Sequence, residues 1–323
     1  MTPRERFIAA LERRPVAGRV PHFELVFFLT MECFGKVHPN HRNYHQWGQM
    51  EEKERELHRR DMAELYVATA ERFEHSAIVV HDTTGDPQET ARIAEAIRRR
   101  SGGEYCLLAN GDPTYSIPRG QDMVEWCAWL YENTGEARDK AAARADDFLK
   151  QAESWKRSGV IDGVTMCADY CFNTGPFLSP EMFADVVATG LKAACAGLRE
   201  LGLHSIKHTD GNIMPIIDQL VDAGPSALHS LDPQGGVDIA EVKARYGDRV
   251  ALVGNVNCGK LDTGTDEEVI ESARYCLKHG VAGGGYVFST SNCIYTGMRL
   301  ERYEMILDVW RREGNRPGPT KGA

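Results

Sequence analysis

No apolar run in this 323-residue chain reaches the ~18 residues that a membrane-spanning helix requires. An excess of basic residues is missing too: 38 Lys and Arg stand against 47 Asp and Glu, for a net charge of −9. That balance argues against nucleic acid or an anionic membrane as partner, since both reward clustered cations. The short basic run Arg98–Arg100 reads as the end of a helix, where positive charge suits the dipole. A cleavable leader is not apparent either. Met1-Thr-Pro-Arg-Glu5 reads as a helix start, with Thr2 as N-cap, Pro3 in the first position and Glu5 closing a capping box. The nine cysteines lack close paired spacing and are odd in number, which disfavours a complete disulfide set and fits a reducing, cytoplasmic compartment. No Gly-x-Gly-x-x-Gly loop follows the first candidate strand, which removes the usual dinucleotide cradle. Gly283-Gly-Gly285 precedes a strand rather than a helix and reads as a turn.

What the chain does have is an ordinary globular balance, 42% hydrophobic and 26% charged, and a regular alternation. Candidate strands lie at 21–28, 76–80, 105–109, 163–167, 205–208, 227–231, 250–254 and 285–289. Helical patterns lie between them, at 50–73, 90–100, 123–131, 137–156, 180–201, 213–223, 239–246, 266–279 and 300–312. Ser179-Pro180 and the capping box Thr265–Glu268 mark two helix starts. Gly159, Gly202, Gly224, Gly247 and Gly280 fall where left-handed C-caps favour glycine. Eight strand–helix repeats predict a parallel sheet closed on itself: an α/β fold, a (β/α)8 TIM barrel in one domain over residues 1–313, with an N-terminal helical extension and a flexible tail at 314–323. An open doubly wound sheet is the alternative; eight is the number that closes a barrel.

Barrel chemistry sits at the C-terminal ends of the strands. The strands expected here offer His22 and Glu24, then His81-Asp82, Asn110 and Asp112, Asp169-Tyr170-Cys171, His208 and Asp210, His229 and Asp232, Asn255 with Cys258, and Asn292-Cys293. Acids, imidazoles and thiols gathered at one rim, with few Lys or Arg among them, suggest a mouth that binds a cation. His208 and Asp210 are two residues apart, so on extended backbone both leave the same face. Glu24 lies in an aromatic and aliphatic run, where a carboxylate is costly without a partner. Asp210 precedes Gly-Asn and is also placed to cap the next helix.

The segments Arg19-Val-Pro21 followed by Glu-Leu-Val, Gly175-Pro-Phe-Leu-Ser-Pro-Glu-Met-Phe183, His208-Thr-Asp-Gly-Asn-Ile213, Leu231-Asp-Pro-Gln-Gly-Gly236, Val242-Lys-Ala-Arg-Tyr-Gly247, Leu252-Val-Gly-Asn255 and Gly283-Gly-Gly-Tyr286 through Ser-Asn-Cys293, in that order, together resemble the uroporphyrinogen decarboxylase superfamily, whose fold is a (β/α)8 barrel. The resemblance spans nearly the whole chain and implies one of two chemistries. One is cofactor-free decarboxylation of uroporphyrinogen. The other is methyl transfer between a small substrate, a corrinoid protein and a thiol, assisted by zinc. The true decarboxylases carry Arg-Gln-Ala-Gly-Arg-Tyr after the first strand, where the arginines hold substrate carboxylates. Here the stretch is Val20-Pro-His-Phe-Glu-Leu-Val-Phe27, with an acid in place of the cations.

The methyltransferase branch resembles the chain better. Its His-x-Cys after the fifth strand and its Cys near the eighth correspond to His208 and Cys293, with Asp210 where the family has cysteine. The resemblance thus implies Zn2+ held by His208, Asp210 and Cys293, with Glu24 as a fourth ligand, and Asp82, Asp169 and Tyr170 as catalytic groups that orient substrate or carry a proton. A His, Asp, Cys set suits zinc. Losing one thiolate makes the metal a harder Lewis acid, which points toward demethylation of an oxygen-bearing donor such as a methyl ether. Cobalamin would be carried by a separate corrinoid protein, and the barrels of this superfamily often pair as homodimers. The alternatives are a metal-free carboxy-lyase using Asp82 and Tyr170, and a catalytically silent binding barrel.

Overall fold

The computed structural model describes residues 1–15, 17–81, 84–86 and 88–316. Its centre is a seven-stranded parallel sheet. In chain order the strands are β1 (Ala77–Val80), β2 (Cys106–Asn110), β3 (Gly163–Cys167), β4 (His204–Thr209), β5 (Ala227–Ser230), β6 (Ala251–Val253) and β7 (Tyr286–Val287). Each pairs with its neighbour in sequence order, and helices occupy the connections between them. These are seven of the eight strands expected from the sequence.

The eighth, at the start of the chain, is not a continuous strand. Single parallel bridges join His22 to Phe288 and Phe27 to Ile294. Between those bridges one side advances five residues and the other six, so an unbroken ladder cannot form. The segment nonetheless reaches both edges of the sheet. Phe288 N donates to Pro21 O at 2.9 Å, Phe23 N to Phe288 O at 3.2 Å, and Ser76 N to His22 O at 2.6 Å. The result is a curled α/β sheet consistent with a (β/α)8 barrel.

Strand alternation sorts the core into two layers. One face gathers Val79, Cys106, Leu108, Ile206, Ala227, Ala251, Val253 and Val287 around Phe23 and Leu25. Helix Pro3–Leu11 adds Phe7, Ala10 and Leu11 to this inner cluster. The other face sends Val80, Leu107, Val164, Met166, Leu228 and Leu252 against the helices.

The helix signals in the sequence have the expected physical effect. Thr2 and Glu5 form the capping box, with Glu5 N on Thr2 Oγ1 at 3.1 Å and Thr2 N on Glu5 Oε2 at 2.9 Å. Thr265 and Glu268 form the other. Ser179 Oγ accepts from Met182 N at 3.2 Å. The helix expected over 180–201 is instead Pro180–Phe183, a π-helical turn at Ala184–Ala188, then Thr189–Glu200. Thr189 Oγ1 donates to the carbonyl of Ala184, five residues back, at 3.2 Å, which accommodates the widened turn. Gly159, Gly202 and Gly224 have positive φ, but Gly247 does not (φ −65) and Gly280 is the last helical residue. Gly280 serves packing: a Cβ there would meet the Tyr286 ring at 2.6 Å. Residues Asn315–Arg316, within the expected tail, pair antiparallel with Gly18–Arg19. Among the described residues no helix is long and apolar enough to cross a membrane.

Candidate metal centre

The site grows from the C-terminal ends of β3, β4 and β5. Ile206 belongs to the inner cluster, so His208 and Asp210, at the same parity, also turn inward. The chain then makes a tight turn at Gly211 (φ +80), where a Cβ would strike the Cys171 and Phe172 carbonyls at 2.7 Å. Only glycine permits that approach. Gly211 N also donates to Asp232 Oδ2 at 3.2 Å. The backbone that carries Asp210 is thereby pressed between two strand-end loops.

The carboxylate of Asp210 is held from two sides. Ser230 Oγ donates to Oδ1 at 2.6 Å, and the Asn292 amide donates to Oδ2. Further on, Asn212 Oδ1 accepts from Met214 N at 3.2 Å, an Asx turn that leads into the short helical turn Met214–Ile216. Asp169 arrives from the loop after β3. Its Oδ1 accepts from Asp210 N at 3.0 Å, and its backbone is tied to Ser116 and Ile117. His208 completes the group, with Nε2 at 3.7 Å from Asp210 Oδ1.

Asp169, His208 and Asp210 each present a ligand atom within 4.8 Å of the others'. Among the described residues this is the one such group, and neither Cys293 nor Glu24 belongs to it. Burial foremost, helped by the charges of Asp169 and Asp232, pushes the Asp210 carboxyl up to about 7. Burial likewise drives His208 well below the usual imidazole range. A neutral imidazole facing two carboxyls is a set of lone pairs, and among the described residues no Lys or Arg is ion-paired to it. Nitrogen and oxygen donors of this kind suit zinc or a similar divalent ion.

The other residues singled out in the sequence are placed as follows. Glu24 is buried beyond the cluster. It accepts from Thr290 Oγ1 at 2.5 Å, from Thr290 N at 3.2 Å and from Ser289 Oγ at 3.4 Å, and lies 3.3 Å from His22 Nε2. Burial raises its carboxyl to about 8. Cys293 is half-buried; burial first, then the neighbouring thiols of Cys258 and Cys167 and the charge of Asp210, push its thiol up. Tyr170 is buried with its hydroxyl 2.6 Å from Thr114 Oγ1 and its ring edge-on to Phe183. Asp82 lies outside the described residues.

Two further features stand out: His229 was expected at a strand end but given no role, and Lys207 was not singled out in the sequence. His229, whose Nδ1 lies 2.7 Å from Nδ1 of His208, occupies an inward position on β5, the same alternation that marked His208. Lys207 faces the helix layer, fully buried, and donates to Asp112 Oδ2 at 2.6 Å and to Ala168 O at 2.9 Å. A lysine inside a buried strand is the signal that finds it.

In sequence, the chain is 27% identical over 222 residues to the uroporphyrinogen decarboxylase of Saccharophagus degradans, covering 64% of this chain and 58% of that protein. It is 26% identical over 235 residues to the enzyme of the same name from Pseudomonas fluorescens, covering 68% and 62% respectively. The matches thus span only about three-fifths of these relatives' length. In structure, the chain is similar to a GH5_18 protein from Bifidobacterium longum subsp. infantis, with a TM-score of 0.52 at 9% identity over 94% of this chain and 81% of that one, a likeness of fold alone. The family model for uroporphyrinogen decarboxylase (URO-D) matches residues 115–313, most of the chain and every element that builds the cluster, and the chain therefore belongs to that family.

Proposed function

We propose that this protein is a zinc-dependent methyltransferase that passes a methyl group between a small substrate, such as a methyl ether, and a separate corrinoid protein. The observation that carries the proposal is the convergence of Asp169, His208 and Asp210 within 4.8 Å. The first-strand stretch supports it from another direction: Glu24 stands in a segment without arginine, so a substrate bearing many carboxylates meets no bidentate cation there. A zinc ion bound in this site would supply Lewis acidity toward the heteroatom that carries the methyl group.

The chain's own residues have definable tasks. His208 offers a neutral nitrogen, and Asp169 and Asp210 offer oxygens. Ser230 and Asn292 fix the Asp210 carboxylate in one orientation, and the loop at Ser116–Ile117 fixes Asp169. Cys293, matched to the family's thiol, is adjacent as a further donor. Asp210 changes protonation near neutrality, so it must release its proton before it can ligate.

The test is metal content of the purified protein, followed by titration of zinc into the chelator-treated form. Stoichiometric zinc that is lost in His208→Ala supports the proposal, as does methyl transfer to cob(I)alamin. Protein that takes up no zinc and yet releases carbon dioxide from a carboxylic acid substrate sinks it. One observation favours that second reading: a carboxyl held near 7 at Asp210 is a ready general acid for protonating a carbanion.

A further inference from the structure

His208 and His229 meet through like atoms, Nδ1 to Nδ1 at 2.7 Å, and both rings are buried. At that distance one nitrogen donates and the other accepts; two lone pairs or two protons cannot share the contact. Which is which follows from the surroundings of His229. Its other nitrogen, Nε2, lies 3.5 Å from Ser289 Oγ. The Ser289 hydroxyl donates its own hydrogen to Glu24 Oε2 at 3.4 Å, an oxygen that also accepts from Thr290 N at 3.2 Å. Toward His229 the hydroxyl oxygen can therefore only accept, so the donating atom of His229 is Nε2. His229 therefore carries its hydrogen on Nε2 and offers a lone pair from Nδ1.

We infer that His229 is a positioning residue that fixes the tautomer of His208. It accepts the Nδ1 hydrogen of His208 and leaves the Nε2 lone pair of His208 facing Asp169 and Asp210. Without this partner, His208 is free to carry its hydrogen on Nε2 and to donate it toward Asp210, 3.7 Å away, which would close the site to a cation. A ligand imidazole held by a hydrogen bond at its other nitrogen is also fixed in rotation, and such partners commonly change metal affinity by about 10–100-fold. The tautomer stands on the geometry alone; its consequence for zinc rests on the metal reading above.

The test is long-range 1H–15N correlation of the histidine rings in metal-free protein, with zinc affinity measured in parallel by competition against a chromophoric chelator. The wild type should show His208 with hydrogen on Nδ1. His229→Leu should move that hydrogen to Nε2 and weaken zinc about 10–100-fold. His229→Asn keeps an oxygen acceptor near the Nδ1 position and should restore part of both, which guards against a misfolded leucine variant. Wild-type His208 protonated on Nε2, or a tautomer unmoved in both variants, overturns the inference. The expected tautomer in a protein that binds no zinc would support the role of His229 while removing the metal reading.

Discussion

Lys207 and His208 are neighbours on one strand, and both are buried. On the helix side, Lys207 is complete. Burial alone would lower its pKa, but the Asp112 charge and Tyr170 hold it charged; the ring of Tyr170 lies 4.3 Å from the ammonium. Asp112 is kept ionised in return by Lys207, against its own burial. On the inner side, His208 meets carboxyls and another imidazole, and among the described residues no Lys or Arg is ion-paired to that group. One face holds a finished ion pair, the other an electron-rich set that a cation would complete. Buried charge by itself does not separate structure from function; the presence or absence of the complementary charge does.

The largest effect should come from breaking the finished side. Lys207→Met leaves Asp112 buried without its counter-ion and should destabilise the fold by about 3–5 kcal/mol. Adding Asp112→Leu should recover much of that loss, as read by urea unfolding. A single variant as stable as wild type would erase the contrast. On the inner side, His208→Ala should reduce zinc affinity by at least about 100-fold while shifting stability far less than Lys207→Met. A larger stability loss would assign His208 to the structure rather than to the site.

Cys293→Ser sharpens the membership of the site. With the thiol beside the cluster rather than within it, zinc affinity should fall about tenfold; a loss matching His208→Ala would place sulfur among the ligands. A separate effect, seen only as a pH dependence, concerns Glu24. Its carboxyl rises from 4.5 to about 8 on burial, so the native state binds more protons than the unfolded state in between. Stability should therefore fall as pH rises from about 4.5 to about 8, by at most about 1.4 kcal/mol per unit. Glu24→Gln should flatten that slope, and an unchanged profile would show that Glu24 is already ionised in the native protein.

Much of this architecture was legible beforehand. Capping residues, glycines and alternating apolar runs are local, so Thr2, Thr265, Ser179 and seven strands announced themselves. The broken first strand did not, because its fault is a register mismatch with a partner more than 260 residues away. Strand ends supplied the candidates for the site but not their grouping. Asp169 was expected as a catalytic group and sits with His208 and Asp210, whereas Glu24 and Cys293 lie outside that group.

The sequence alone determined the alternation of strand and helix, and that His208 and Asp210 share a face, because both follow from the fixed period of extended backbone. Only the tertiary structure decided that Asp169 joins them, that Asn292 and Ser230 hold Asp210, and that His229 meets His208 nitrogen to nitrogen. Those relations depend on how the ends of separate strands are brought to one rim, and distances of that kind have no signature in the order of residues.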